Sequence, residues 1–497
     1  MYFLGIDLGT SSIKLSVFDA EAGKEVCAVA LPENEMEINA PKFGWAEQDP
    51  NLWWSYTKEG LKRIAQDHGF DLKKIQAVGI AYQMHALVIT DEKLNPLRPS
   101  IIWCDSRAAE IGNKFYEKIG DKECNNSILG SPGNFTASKL KWVKENETDI
   151  YEKAAHIMLP GDYIAAKLSG KAQISRSGLS EGTLWNFKEA KLAEEILSKM
   201  GLSEKLIPEI VPNFGEQAKI DSKVAEEVGL SEDVQITYRA GDQPNNAFSL
   251  NVLKPDEIAT TAGTSAVVYT VSDKDSYDEN SRINTFLHVN DSEQQKRNGV
   301  MLCINGSGIL YQWIRKLVSI GNKELISYEN LNYTAAKAPP GCEGLRFYPF
   351  GNGVERIFRN KKVNSGIENL NFNIHKPEYL IRSACEGIVF AMNYGFDIMK
   401  SVGAGGETVK AGKANLFLSP VFRSIFCNTT NTSLELYNTS GAEGAARGAA
   451  LGYGFYKNED EAFSNLRILE RLDPDPEMVE TYHQIYTNWK QHIKIEE

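Results

Sequence analysis

The stretch GIDLGTSSIKLSVFDA, residues 5–20, joins two runs of apolar and β-branched residues through a short polar turn. The alternation predicts a strand over 2–6, the turn, and a second strand over 13–18. The turn carries Asp7, Gly9, Thr10, Ser11 and Ser12. Gly9 permits close backbone approach, and the turn N–H groups together with the hydroxyls can donate to phosphate oxygens. Asp7, at the strand end, is placed to face a metal that such a phosphate carries. The alternative is an ordinary hairpin whose Asp and Ser only satisfy the turn.

A second copy of the pattern weighs against that alternative. EIATTAGTSAVVYTVSD, residues 257–273, again runs from a strand through Gly263, Thr264 and Ser265 into a β-branched strand, about half a chain later. An echo of that period suggests duplicated halves. Two phosphate-cradling hairpins facing each other across a cleft is the arrangement of the actin-like ATPase fold. The expected architecture is therefore α/β: two actin-like (ribonuclease H-like) domains, each a mixed sheet flanked by helices, with an interdomain cleft. The 497 residues exceed what one core usually serves, and the expected domains are 1–247 and 248–497.

Composition narrows the partners. Charged residues make up 24% and hydrophobic residues 42%, a globular balance with ample material for cores. The formal net charge of −12 argues against nucleic acid as the main partner, while leaving room for anionic nucleotides held by local donors and Mg²⁺. The seven cysteines are scattered, without a C-x-x-C pair, and read as reduced thiols packing as small apolar groups. No apolar run approaches the roughly 18 residues of a membrane span, and the N-terminus opens directly into a strand, so no membrane association and a cytoplasmic location are expected. A homodimer is the default assembly for such a chain.

Further candidates follow in chain order. Asp49-Pro50 opens a helix whose Trp53, Trp54, Leu61 and Ile64 belong to a core. Residues 74–81 form a buried parallel strand, ending in Gln83, Met84 and His85. A later strand ends at Trp103, with Asp105 and Arg107 beyond it. Ligand groups in open sheets gather at strand carboxyl ends, so these residues look like a polar pocket for a hydroxylated small molecule; a satisfied buried histidine is the alternative for His85. Lys139 and Trp142 lie on a helix over 134–145, and the Ser/Gly-rich loop 175–185 could line a cleft. Asp242 follows a strand and precedes the second hairpin, where a carboxylate can take a proton from a hydroxyl attacking a γ-phosphate; an N-cap role is the alternative. Asn305-Gly306-Ser307-Gly308 opens an amphipathic helix, suited to an anion or to close packing. The stretch 347–358 carries Gly351 and Gly353, the small-residue run GAEGAARGAALGYG (441–454) reads as tight helix packing, and 459–497 reads as C-terminal helices.

Taken together, GIDLGTSSIK, WAEQDPNLWW, AYQMHALVITDEKLNPLRPSIIWCDSR, FTASKLKWV, AGDQPNNA, TTAGTSAVVYTV and YLIRSACEGIVFAMN, in this order, resemble the FGGY family of carbohydrate kinases over essentially the whole chain, its xylulokinases most of all. The resemblance implies that Asp242 is the catalytic base and also lies near the metal with Asp7. It implies phosphate loops at Thr10, Ser11, Ser12 and Lys14 and at Gly263, Thr264 and Ser265, with Gly412 and Ser419 on the nucleotide. It implies sugar contacts from Gln83, Met84, His85, Trp103, Asp105, Asp242 and Gln243. Three positions depart from the family pattern: Ala411-Gly412-Lys413-Ala414 stands for the glycine-rich adenosine loop, Gln243-Pro244-Asn245 follows the base, and Asn134 replaces a glycine. The expected cofactors are ATP and Mg²⁺. The expected reaction is transfer of the γ-phosphate to a terminal hydroxyl of a ketopentose, D-xylulose in the first instance. Kinases of gluconate, ribulose or another polyol, and a non-catalytic sugar- or nucleotide-sensing protein of the same fold, are the alternatives.

Overall fold

The computed structural model describes residues 1–351, 354–359 and 361–494, so Gly353 and the end of the C-terminal stretch, 495–497, lie outside the described residues. The chain forms two compact units. The first comprises Met1–Asn251, Phe286–Asn298 and Thr439–Leu466; the second comprises Val252–Thr285, Gly299–Asn438 and Arg467–Glu497.

The first unit is built on a six-stranded sheet in the order Phe214–Lys219, Gln235–Gly241, Ile75–Tyr82, Tyr2–Leu8, Ile13–Asp19, Lys24–Leu31. The hairpin read from residues 5–20 is present, Tyr2–Leu8 pairing antiparallel with Ile13–Asp19 and Asp7 opposite Lys14. On the other side Tyr2–Leu8 pairs in parallel with Ile75–Tyr82, which in turn pairs in parallel with Gln235–Gly241. These central strands are buried on both faces, which explains their near-continuous apolar character. One face is covered by the helix Pro50–Asp67, capped by the Asp49 side chain on Asn51 N, whose Trp53, Leu61 and Ile64 are fully buried.

The other face receives the helix Gly441–Gly452, and here the compact units differ from the expected division of the chain. A cut into 1–247 and 248–497 assigns this helix to the second half, whereas it packs on the first sheet. The cause is steric. A Cβ on Gly5 would lie 1.8 Å from the Ala442 carbonyl oxygen, and one on Gly79 would lie 2.0 Å from that of Ala445. Glycine on the strands and alanine on the helix together let backbone lie against backbone.

The second unit repeats the plan. Its seven-stranded sheet runs Asn284–Leu287, Asn298–Ile304, Ala266–Ser272, Ile258–Ala262, Thr408–Gly412, Ser433–Tyr437, Ile468–Leu472. Ile258–Ala262 and Ala266–Ser272 form the second hairpin, two parallel strands follow beside it, and an antiparallel strand closes the edge. The Gly-Thr-Ser echo thus marks equivalent hairpins in equivalent sheets, and both units have the expected actin-like arrangement. The long helix Pro377–Ser401 buries Ala384, Ile388, Ala391 and Met392 in the core of this unit. No disulfide joins any of the seven cysteines. No helix among the described residues is long and apolar enough to cross a membrane.

Candidate active site

Asp242 stands where the strand Gln235–Gly241 turns into the helix Asp242–Ser249. It remains half-buried, and desolvation together with the nearby Asp7 carboxylate pushes it up to about 7; Gln243 opposes this, its Nε2 donating to Oδ2 at 3.2 Å. Asp7, also half-buried, ends the neighbouring strand but one, and burial raises it while Lys14 across the hairpin lowers it. A Cβ on Gly441 would lie 2.4 Å from Asp7 Oδ2, so glycine at the start of that helix makes room for the carboxylate, and the helix N-terminus favours its negative charge. The Asn245 side chain ties this corner together by donating to the Gly441 carbonyl at 2.8 Å. Two acids of raised pKa side by side form a place where a cation is electrostatically welcome.

The tripeptide Gln83-Met84-His85 follows the strand between these two acids' strands. Gln83 and Met84 are buried, and His85 adopts φ 60°, a left-handed conformation unusual for a non-glycine residue. Its N–H donates to Glu181 Oε1 at 3.3 Å, its carbonyl accepts from Lys139 Nζ at 2.6 Å, and its Nδ1 lies 3.1 Å from the Glu181 carbonyl. Its ring packs against Phe135 and Phe286, with centroids 4.6 and 5.1 Å away. Lys139 also donates to the Ile102 carbonyl at 3.0 Å, and burial brings its ammonium down to about 7. Glu181 and Lys139 are both fully enclosed. Sequence reasoning noted Lys139 without a role and missed Glu181, since one acid in a Ser/Gly-rich loop gives no periodic signal.

Four of the expected site residues engage protein partners. The Thr10 hydroxyl donates to Gln83 Oε1 at 3.1 Å and accepts from Trp103 Nε1 at 2.9 Å, so its one proton is already committed. Gln83 Nε2 donates to Gln48 Oε1 at 2.9 Å, and Gln48 Nε2 donates to the Thr10 carbonyl at 2.8 Å. Thr10, Gln83 and Trp103 are therefore one hydrogen-bonded group. Asp105, expected on the sugar, is fully buried; its oxygens accept from Ala46 N and from Arg107 N, Nε and Nη2. An arginine two residues on consumes the carboxylate and leaves no oxygen for a ligand. Gly9 N donates to the Ser12 carbonyl at 3.0 Å, while the N–H groups of Thr10 and Ser11 have no acceptor among the described residues.

The second unit holds its own cradle. Gly308 N donates to the Gly263 carbonyl at 2.7 Å and Ile309 N to that of Thr264 at 3.2 Å, which docks the turn 263–265 on the N-terminus of the helix Gly308–Val318. Gly263 also faces Asn415, whose side-chain nitrogen would lie 3.5 Å from a Cβ there. Gly412 ends the strand Thr408–Gly412 just before Asn415. Ser419 is buried and caps the helix Pro420–Thr430, accepting from Phe422 N at 3.3 Å. A serine immediately before a helix-opening proline is an N-cap. Asn415 takes its place beside the turn. A cavity of about 610 Å³ lies next to this cradle, lined by Gly306, Ile309, Leu310, Trp313, Pro349 and Ile367 among others.

Residues 2–249 match the model of the N-terminal domain of the FGGY family of carbohydrate kinases, and residues 258–453 match that of its C-terminal domain. The chain belongs to the FGGY family of carbohydrate kinases. Membership makes it a phosphotransferase with an alcohol group as acceptor, and ATP with a sugar its small-molecule ligands. Among curated FGGY proteins it is 26% identical to a xylulose kinase of Staphylococcus xylosus over 469 residues, covering 93% of this chain and 92% of that one. It is 28% identical to a gluconokinase of Bacillus subtilis (strain 168) over 397 residues, covering 78% and 75%. Among solved structures, a ligand-bound xylulose kinase from Lactobacillus acidophilus superposes with a TM-score of 0.88 at 22% identity, covering 99% of this chain and 97% of that one, which establishes the shared fold.

Proposed function

We propose that this FGGY kinase transfers the γ-phosphate of ATP to the terminal hydroxyl of D-xylulose, giving D-xylulose 5-phosphate, with Asp242 as general base. The observation that carries the reading is the placement of Asp242: a half-buried carboxyl poised near neutrality, oriented by Gln243, in the same unit as the Met84–His85 strand end. A group of that pKa both exists as carboxylate at neutral pH and has the basicity to draw a proton from an attacking hydroxyl. Similarity to proteins named xylulose kinase across 93% of the chain, against 78% for the gluconokinase, supports the ketopentose over the aldonate.

Phosphoryl transfer asks little covalent work of the protein; positioning and charge neutralisation dominate. Met84 and His85 would orient the sugar, with Gln83 and Trp103 held behind them by Thr10. Asp242 would accept the proton as the hydroxyl oxygen bonds to the γ-phosphorus and the bond to the β,γ-bridging oxygen breaks. Ser11, Ser12, the open N–H groups of the first turn and Lys14 would meet phosphate oxygens. In the second unit, the turn 263–265, Gly412 and Asn415 would hold the nucleotide. Asp7 and Asp242 fit a magnesium ion, which takes one or two carboxylates and completes its shell with water and substrate phosphate; no cluster of three or more metal-ligating side chains exists among the described residues. The ion would supply charge neutralisation on the phosphate oxygens.

The test is ADP release from Mg-ATP, measured with D-xylulose, L-xylulose, D-ribulose, L-ribulose, gluconate and glycerol. The expected result is a kcat/KM for D-xylulose at least about tenfold above any other, a discrimination of about 1.4 kcal/mol. A preference for gluconate or ribulose overturns the substrate. Silence across the panel from folded protein overturns the ketopentose reading and points to an untested sugar or to the sensor alternative.

A further inference from the structure

Glu181 ends the short helix Arg176–Glu181 and is 1% exposed. Among the described residues no cation lies at hydrogen-bond distance from its carboxylate; the His85 N–H does, at 3.3 Å from Oε1. Its Oε2 lies 2.5 Å from where a Cβ on Gly241 would stand, and Met84 Cγ lies 2.6 Å from the same point. The carboxyl is thus wedged between the sugar-side turn and the residue immediately before Asp242. A buried carboxyl without an ion pair is costly, and an apolar residue of similar size would stabilise the fold better. Such a group is a candidate for a role in the site rather than in the core.

We propose that Glu181 is a positioning residue that holds the Met84–His85 turn against the strand end carrying Asp242 and so sets the orientation in which the sugar meets the base. The inference rests on the sugar-kinase reading and deepens it. His85 sits in the left-handed region, a conformation that is unfavourable for a non-glycine residue and persists only where its surroundings impose it. Glu181 supplies two of those constraints, one through its carboxyl on the His85 N–H and one through its carbonyl on Nδ1. A main-chain carbonyl only accepts, so the second contact puts a proton on Nδ1. The imidazole then presents a defined hydrogen-bonding edge. Lys139 holds the same peptide from its carbonyl side at 2.6 Å, and Phe135 and Phe286 hold the ring. Burial, with Asp242 and Asp162 nearby, raises the Glu181 carboxyl well above the ordinary range, while Lys139 and the His85 N–H lower it.

The experiment is steady-state kinetics of wild type, E181Q, E181A and G241A with D-xylulose and Mg-ATP, alongside thermal unfolding. In E181Q, where the amide oxygen can still accept from His85 N, every constant stays within about threefold of wild type. In E181A, kcat/KM for the sugar falls at least about tenfold, while the KM for ATP stays within twofold and the melting temperature does not fall. G241A keeps Glu181 and pushes its Oε2 and Met84 aside; it reproduces the loss in sugar kcat/KM with an unchanged KM for ATP, and decides the matter if E181A does not fold. E181A or G241A with a wild-type sugar kcat/KM overturns the assignment. So does a parallel loss in sugar and ATP constants with a lowered melting temperature, the mark of a merely structural residue. A wild-type protein inactive on D-xylulose overturns the ketopentose reading, whereas an active wild type with an indifferent E181A overturns only the role of Glu181.

Discussion

Replacing Thr10 with valine separates two roles for the first hairpin. The substitution keeps the shape of the side chain and removes one hydroxyl, which donates to Gln83 Oε1 at 3.1 Å and accepts from Trp103 Nε1 at 2.9 Å. The two losses are unequal. Trp103 is 41% exposed, so water can replace its partner at little cost, whereas Gln83 is 1% exposed and its Oε1 has no other donor among the described residues. A buried acceptor left unsatisfied costs about 1–3 kcal/mol. Taking about 1.5 kcal/mol, relaxation of Gln83 away from this strain is worth roughly tenfold in the constants that depend on its position. Because Gln83 precedes Met84 and His85, the loss falls on the sugar: T10V lowers kcat/KM for D-xylulose about tenfold, and the KM for ATP stays within twofold. T10S, which keeps the hydroxyl, stays near wild type. Initial rates of ADP release, with each substrate varied at saturation of the other, measure both constants. A tenfold rise in the KM for ATP with sugar constants unchanged would refute the reasoning and return the Thr10 hydroxyl to the phosphate.

Other consequences concern the second unit. A Cβ at Gly308 would lie 2.4 Å from the Gly263 carbonyl oxygen, a backbone atom, so G308A must displace the turn 263–265; it raises the KM for ATP about tenfold or more and leaves sugar affinity, read by calorimetry, unchanged. Glu355 is buried, accepts from Asn305 N at 3.1 Å, and is pushed by burial up to about 8. Its folded pKa exceeds its unfolded value, so the folded state holds the extra proton between roughly pH 4.5 and 8 and stability declines as pH rises through that window. E355Q, permanently neutral, therefore unfolds at higher urea than wild type at pH 8 and at similar urea at pH 4.5; a wild-type protein equally or more stable at pH 8 removes this explanation.

The parts legible in the sequence were those written in local pattern. The two hairpins show because a Gly-Thr-Ser turn between β-branched strands is a short-range signal, and the parallel strand Ile75–Tyr82 shows because burial on both faces leaves an unbroken apolar run. The position of Asp242, after a strand and before the second hairpin, was legible in the same way. What failed depended on partners. Asp105 and a free ligand carboxylate look alike in sequence until Arg107 folds back on it. Thr10 looks like a phosphate donor until Gln83, from another strand, takes its proton. The helix Gly441–Gly452 was readable as tightly packed, yet its partners Gly5 and Gly79 stand more than 350 residues earlier, and no local pattern names them. Ser419 is different: the serine-proline pair was a visible cap, and the family pattern was followed past it.

The most direct test of the account is Asp242→Asn, with sugar binding and turnover measured on the same preparation. General-base removal costs about 10²–10⁴ in rate. The account predicts that D242N binds D-xylulose within about threefold of wild type by calorimetry, since Met84 and His85 are untouched, while ADP release with the sugar falls at least a hundredfold. Near-normal turnover in a folded D242N protein would contradict it and remove Asp242 from the reaction.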